Sequence, residues 1–223
     1  MSFSALLKQE LLTYNLLNHP FYIMWNEGKI STETLKKYSL QYLFQVSALP
    51  TYISATHSIT SNTESRKILT ENLADEELNG KDHVSLWKDF CRAQNISDEE
   101  MNNETLMESM KYLIETCKKH SSSSSARGFG VLYAQEHNYA NIATSKKEGL
   151  EKHYNMAGNK EALNFFSVHE KADVWHAQQV ETLLNSLPES EQAKAKEAGL
   201  EVMKALNGFL DEVLTLEKNT CSH

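Results

Sequence analysis

The chain has 223 residues, enough for one large compact domain with a substantial core and no need of covalent staples. Its formal net charge of -8, with no clustered Lys/Arg stripe, argues against a phosphate-binding surface and makes nucleic acid an unexpected partner. Cys91, Cys117 and Cys221 are odd in number and lack a CxxC, which suits neither a disulfide framework nor a thiolate zinc site and points to a reducing cytoplasm.

Only three prolines and eight glycines punctuate the sequence, and the segments between them show helical rather than alternating periodicity, which predicts a nearly all-α protein. The opening "MSFSALLKQELLTYNLL" carries Lys8 and Glu10 inside its apolar region and reads as an amphipathic helix over Phe3–Leu17 rather than a signal peptide. Helices follow over Pro20–Asn26 and Thr32–Ser61, the second with Ser31 as N-cap and with Pro50 inside it, where a kink is expected. Next come Glu64–Asn79, His83–Gln94 and Glu104–Lys119, with a capping box in "SDEE" at Ser97–Glu100. "SSSSS" at Ser121–Ser125 reads as a loop whose last serine caps a helix over Ala126–Glu148, and helices over Lys160–Ser186 and Glu189–Leu216 complete the chain. No repeat or linker divides it, so residues 1–223 are expected to form a single domain, and no apolar run approaches the roughly 20 residues of a membrane span.

Three groups of residues carry chemistry. In "VHEKADVWHAQQV", His169, Asp173 and His176 recur at intervals of four and three, and at about 100° per residue they fall within an arc of roughly 60° on one helical face. Phe165, Phe166, Val168, Ala172 and Leu183 are apolar enough to turn that face inward, where a cation would satisfy two imidazoles and a carboxylate together. In "NLADEELNGKDHVSLW", Glu76 and His83 are seven apart and share a face if the helix survives Gly80; a frayed acidic helix end followed by a newly capped helix is the equal alternative. In "GFGVLYAQEHNYANIA", Glu136 is a carboxylate in an apolar, aromatic-rich helix, costly unless paired, whereas His137 points about 100° away and reads as structural. Six O/N ligands suit two first-row metals such as iron or manganese better than a closed four-ligand zinc site, and dimetal carboxylate sites are built this way inside helical bundles.

Four stretches in order, "HPFYIMWNEGKISTETLKKYSLQYLFQVSALPTYISATHS", "NLADEELNGKDHVSLW", "YAQEHNYANIATSKKEGLEKHY" and "FFSVHEKADVWH", resemble the CADD-type proteins of the TenA/PqqC, haem-oxygenase-like dimetal oxidase superfamily. The resemblance implies an all-α, haem-oxygenase-like bundle with a seven-helix core, an internal dimetal site and usually a homodimer; the expected location is cytoplasmic, with secretion to a host left open. It implies synthesis of para-aminobenzoate for folate by oxidative excision of the side chain of one of the protein's own tyrosines, with dioxygen and an external reductant as co-substrates. The implied ligands of an Fe/Fe or Mn/Fe pair are Glu76, His83, Glu136, His169, Asp173 and His176. The implied sacrificed ring is Tyr22, the amino donor Lys146 with Lys147 adjacent to it, and a further relay tyrosine Tyr38. The chain departs from the family pattern where tyrosines often occur, with Gln135 before Glu136 and Phe165 four before His169.

Two other classes compete. One is a dimetal oxidase acting on an external small molecule in the same cavity; TenA-like hydrolysis is weaker, because its cysteine nucleophile has no counterpart in Cys91, Cys117 or Cys221. The other is a death-domain-binding effector, which the acidic surface permits without identifying.

Overall fold

The computed structural model of the protein describes residues 1–78 and 80–220; the side chains of residues 171–174 and 218–220 lie outside the described residues, as does Cys221. Among the described residues the regular structure is helical throughout. The elements are α1 (Phe3–Leu11), two short 3-10 turns (Leu12–Tyr14 and Leu16–Asn18), α2 (Pro20–Asn26), α3 (Thr32–Ile59), α4 (Thr63–Glu77) and α5 (His83–Ala93). They continue with α6 (Asp98–Asn103), α7 (Glu108–Ser121), α8 (Ser125–Glu136), α9 (Tyr139–His153), α10 (Lys160–Asn185) and α11 (Glu189–Thr220).

Side chains set most helix starts by accepting the hydrogen bond of an otherwise orphaned backbone N–H. Ser31 accepts from the Thr34 amide at α3, Asn62 from Ser65 at α4, Asp82 from Ser85 at α5 and Asn159 from Ala162 at α10. The Ser97–Glu100 capping box opens α6, a short helix absent from the expected set. α3 runs on through Pro50.

Three expected boundaries are corrected. The first helix stops at Leu11, not Leu17, because Asn15 adopts a non-helical conformation and its side chain takes the Leu17 amide. The helix expected from Glu104 starts at Glu108, because Gln41 of α3 holds the preceding strand of chain, donating to the Thr105 carbonyl (2.7 Å) and accepting from the Met107 amide (2.8 Å). The helix expected over Ala126–Glu148 is two helices: Asn138 leaves the helical region at φ -135°, ψ 10°, and bonds across to Asn15. Ser124, rather than Ser125, is the cap of α8.

α11 lies along α8 and α7, α10 packs on α9, α5 and α8, and α3 packs on α7, α4, α5 and α8. Gly130 permits the α8–α11 approach, since a Cβ there would stand 2.1 Å from the Ala195 carbonyl oxygen. A Cβ at Gly149 would stand 2.5 Å from the Trp25 ring, so that glycine lets α2 close on α9. The core is rich in edge-packed aromatics, among them Phe21, Trp25, Tyr38, Trp87, Phe90, Phe165 and Phe166. Among the described residues no helix is long and apolar enough to cross a membrane.

Candidate metal centre

Glu76 occupies the last turn of α4 and His83 the first position of α5. Helical register is not what joins them. The helix ends at Glu77, Gly80 takes the left-handed region at φ +84°, and Asp82 starts the next helix, so the turn folds His83 back until its Nδ1–H donates to Glu76 Oε2 at 2.7 Å. His169 enters from α10 with its ring centroid 4.4 Å from that of His83. Ligand atoms of Glu76, His83 and His169 all lie within 4.8 Å of one another, and all three residues are buried.

The His169 Nδ1–H donates to the Phe165 carbonyl at 2.6 Å, which assigns the lone pair of the neutral ring to Nε2. Burial above all, and then the neighbouring His83, hold the His169 pKa well below the ordinary imidazole value. Glu136 closes α8 and is 7% exposed. Its Oε1 accepts from Asn72 Nδ2 at 3.1 Å, and its Oε2 is buried with no hydrogen-bond partner among the described residues. Burial pushes this carboxyl up to about 7, against the opposing influence of His176 and Asn72. Its two oxygens are thus one held and one unsatisfied.

His176 lies about two turns beyond His169 on the same face of α10, with Nε2–H donating to Asp75 Oδ2 at 2.8 Å. Glu76, His83, Glu136, His169 and His176 all line one cavity, so five of the six expected ligands face a common space. The side chain of Asp173, the sixth, lies outside the described residues. The donor set fits divalent ions of the iron or manganese kind. It offers imidazole lone pairs and carboxylates and no thiolate, with a buried carboxylate oxygen that a cation would satisfy.

Tyr22 lines the same cavity. Its hydroxyl and that of Tyr38 share a hydrogen bond of 3.2 Å, and Lys146 Nζ donates to Tyr38 at 2.8 Å. The Lys146 amine lies 5.3 Å from the Tyr22 ring centroid, 5.3 Å from that of Tyr38, 4.8 Å from Tyr42, 5.6 Å from Tyr139 and 5.8 Å from Trp87. Burial lowers the Lys146 pKa to about 7 and raises the phenols of Tyr22 and Tyr38 above their ordinary range. Lys147 leaves this group for Glu170, 2.8 Å away.

The resemblance did not single out Asn72, Asp75, Tyr42 or Tyr139. Asn72 precedes Asp75 by three and Glu76 by four, and Tyr42 follows Tyr38 by four, spacings that make such residues neighbours on a helix surface. Tyr139 sits on the far side of the α8–α9 break, with its ring 5.1 Å from that of His169. Gln135, where a tyrosine often occurs, bonds Gln45 at 2.6 Å; Phe165 packs on His169 at 4.1 Å. His137 donates to the carbonyls of Tyr133 and Ala134 at 3.0 and 3.2 Å, in keeping with a structural role.

Known proteins resemble this chain over nearly its whole length. A protein named 4-aminobenzoate synthase from Chlamydia muridarum is 35% identical over 224 residues, spanning 100% of this chain and 94% of its own length. One of the same name from Chlamydia trachomatis serovar D is 35% identical over 208 residues, 93% of this chain and 89% of that protein. A crystal structure from Shewanella denitrificans, described as a domain of unknown function with a haem oxygenase-like fold, superposes with a TM-score of 0.84 over 98% of this chain and 94% of that one. At 14% identity, its likeness is one of fold. The family described as iron-containing redox enzymes matches residues 36–208, and the chain belongs to that family, with a haem-oxygenase-like all-α fold.

Proposed function

We propose that the chain makes para-aminobenzoate from its own Tyr22, with Lys146 as amino donor and a dimetal centre as the oxidising site. One observation carries the reading: a buried lysine amine lies 5.3 Å from the centroid of the Tyr22 ring, and that ring lines the cavity of the Glu/His cluster. The name 4-aminobenzoate synthase, borne by relatives over nearly the whole chain, supports the product.

Glu76, His83, Glu136, His169, Asp173 and His176 would hold the ions. An Fe/Fe or Mn/Fe pair, once bound, would supply the redox capacity that turns dioxygen and an external reductant into an oxidant. The remaining work falls to the chain. The Tyr38 hydroxyl bonds both the Tyr22 hydroxyl (3.2 Å) and the Lys146 amine (2.8 Å), and so holds ring and amine beside each other. An amine near pH 7 that is half deprotonated is a nucleophile, which an ordinary surface lysine is not. Tyr42, Tyr139 and Trp87 confine that amine and exclude water from it. Lys147 is held by Glu170 and is not placed to attack, so Lys146 is the donor in this reading.

The apolar part of the cavity wall, with Val46, Leu49, Met203 and Leu206, favours a second reading in which an external small molecule is oxidised there. Purified metal-loaded protein, given dioxygen and reductant but no aromatic compound, separates the two. Self-sacrifice predicts para-aminobenzoate at no more than about one equivalent per chain, none from Tyr22→Phe or Lys146→Arg, and unchanged metal content in Tyr22→Phe. Parent-level product from Tyr22→Phe would show that the ring comes from elsewhere.

A further inference from the structure

We propose that one turn of α4 is the outer scaffold of the metal centre, Asn72 positioning Glu136 and Asp75 positioning His176 while Glu76 in the same turn serves as a ligand. The proposal rests on the metal reading above and extends it to two residues outside the expected ligand set.

Asn72, Asp75 and Glu76 stand at i, i+3 and i+4, so one helical turn presents all three side chains toward neighbouring helices. Each contacts a candidate ligand carried by a different element. Asn72 reaches Glu136 at the end of α8 (3.1 Å), Asp75 reaches His176 on α10 (2.8 Å) and Glu76 reaches His83 on α5 (2.7 Å). Asn72 is 1% exposed, and its amide offers Nδ2–H to one Glu136 oxygen, which fixes the carboxylate plane and leaves Oε2 for a cation. The Asp75 carboxylate accepts the His176 Nε2–H, so the lone pair of the neutral imidazole resides on Nδ1. A carboxylate behind a ligating imidazole sets its tautomer and orientation and raises its basicity. Asp75 approaches from the solvent side, its side chain 29% exposed against 1% for His176. Neither Asn72 nor Asp75 need touch the ion; both act through the ligand they hold.

A pair of polar bonds could also serve only to staple α4 to its neighbours. The two roles differ in what they move: a staple contributes to the stability of metal-free protein, whereas a positioning residue sets metal affinity. Metal-free parent, Asp75→Ala, Asn72→Leu and Asp75→Asn should be titrated with Mn(II), the free ion being read from its electron paramagnetic resonance signal, and melted without metal. Asp75→Ala and Asn72→Leu are expected to bind Mn(II) on the order of ten- to a hundredfold more weakly than the parent, with metal-free melting temperatures close to it. Asp75→Asn, which keeps an acceptor oxygen for His176, should lose less than Asp75→Ala but still bind more weakly than the parent. Parent affinity in Asp75→Ala or Asn72→Leu removes that residue from the role, and in both overturns the proposal. Should either of these variants fail to fold, Asp75→Asn decides: parent affinity there contradicts the scaffold. A parent that does not bind Mn(II) sinks the metal reading itself, and binding by the parent with unchanged variants sinks the scaffold alone.

Discussion

Lys146 is the residue on which the chemistry and the energetics meet. An ammonium enclosed by protein loses its hydration, and at 1% exposure Lys146 has, among the described residues, one hydrogen bond, to Tyr38, and the faces of surrounding rings to replace it. Its pKa falls from an ordinary 10.5 to about 7 in the folded protein. Below about pH 7 both folded and unfolded chains carry the proton, and the fold bears the full cost of the buried charge, on the order of a few kcal/mol. Between about 7 and 10.5 the unfolded chain keeps a proton that the folded one has shed, so stability from this group rises with pH. Lys146→Met, close in volume and uncharged, should therefore melt at a higher temperature than the parent at pH 6, with the gap narrowing toward pH 10. A parent more stable than Lys146→Met at pH 6 would mean that the ring faces compensate the charge in full. The same substitution should abolish product, a stability gain at the expense of function.

At the scale of elements, the site depends on two helix breaks and two close approaches. The break after Glu136 ends α8 at the cavity and lets α9 set off along α2, and Gly149, one turn beyond Lys146, admits Trp25 against it. At Gly130 the neighbour is backbone, the Ala195 carbonyl, which cannot rotate away as a side chain can. Gly130→Ala should therefore lower stability by about 1–3 kcal/mol or more by forcing α8 and α11 apart, seen as a lower urea midpoint with unchanged slope; an unchanged midpoint would show that the two helices slide freely. The breaks also explain what was legible in the sequence. His169, Asp173 and His176 stand in an uninterrupted helix, so their period exposed them directly. Glu136 was visible as a lone carboxylate among apolar residues. The pairing of Glu76 with His83 was legible, but its cause was not: helical register pointed to it, and the turn through Gly80 makes it. Lys146 carries no such signal, because "SKKEGL" has the polarity of a surface helix and its burial is imposed by α2 and α3 from more than a hundred positions away. Asn72 and Asp75 likewise look like a solvated acidic helix end until α8 and α10 pack over them.

At the scale of the whole molecule, α4, α5, α8 and α10 carry the candidate ligands and α2 brings the Tyr22 ring to the same cavity, while α3 and α9 hold Tyr38 and Lys146 against that ring, so that seven helices contribute to the candidate site. That division makes the fold legible from its helical periodicity and the family resemblance, while the junction between the two halves depends on packing across long sequence separations. The central claim is that this assembly consumes its own ring. The most direct measurement is mass spectrometry on protein whose tyrosine rings alone carry heavy carbon, loaded with metal and reacted with dioxygen and an unlabelled reductant. The account predicts heavy-ring para-aminobenzoate in amount not exceeding the chains present, and a peptide spanning residue 22 that has lost the Tyr22 side chain in matching proportion. Product without the heavy ring, or product from chains in which Tyr22 is intact, would contradict it.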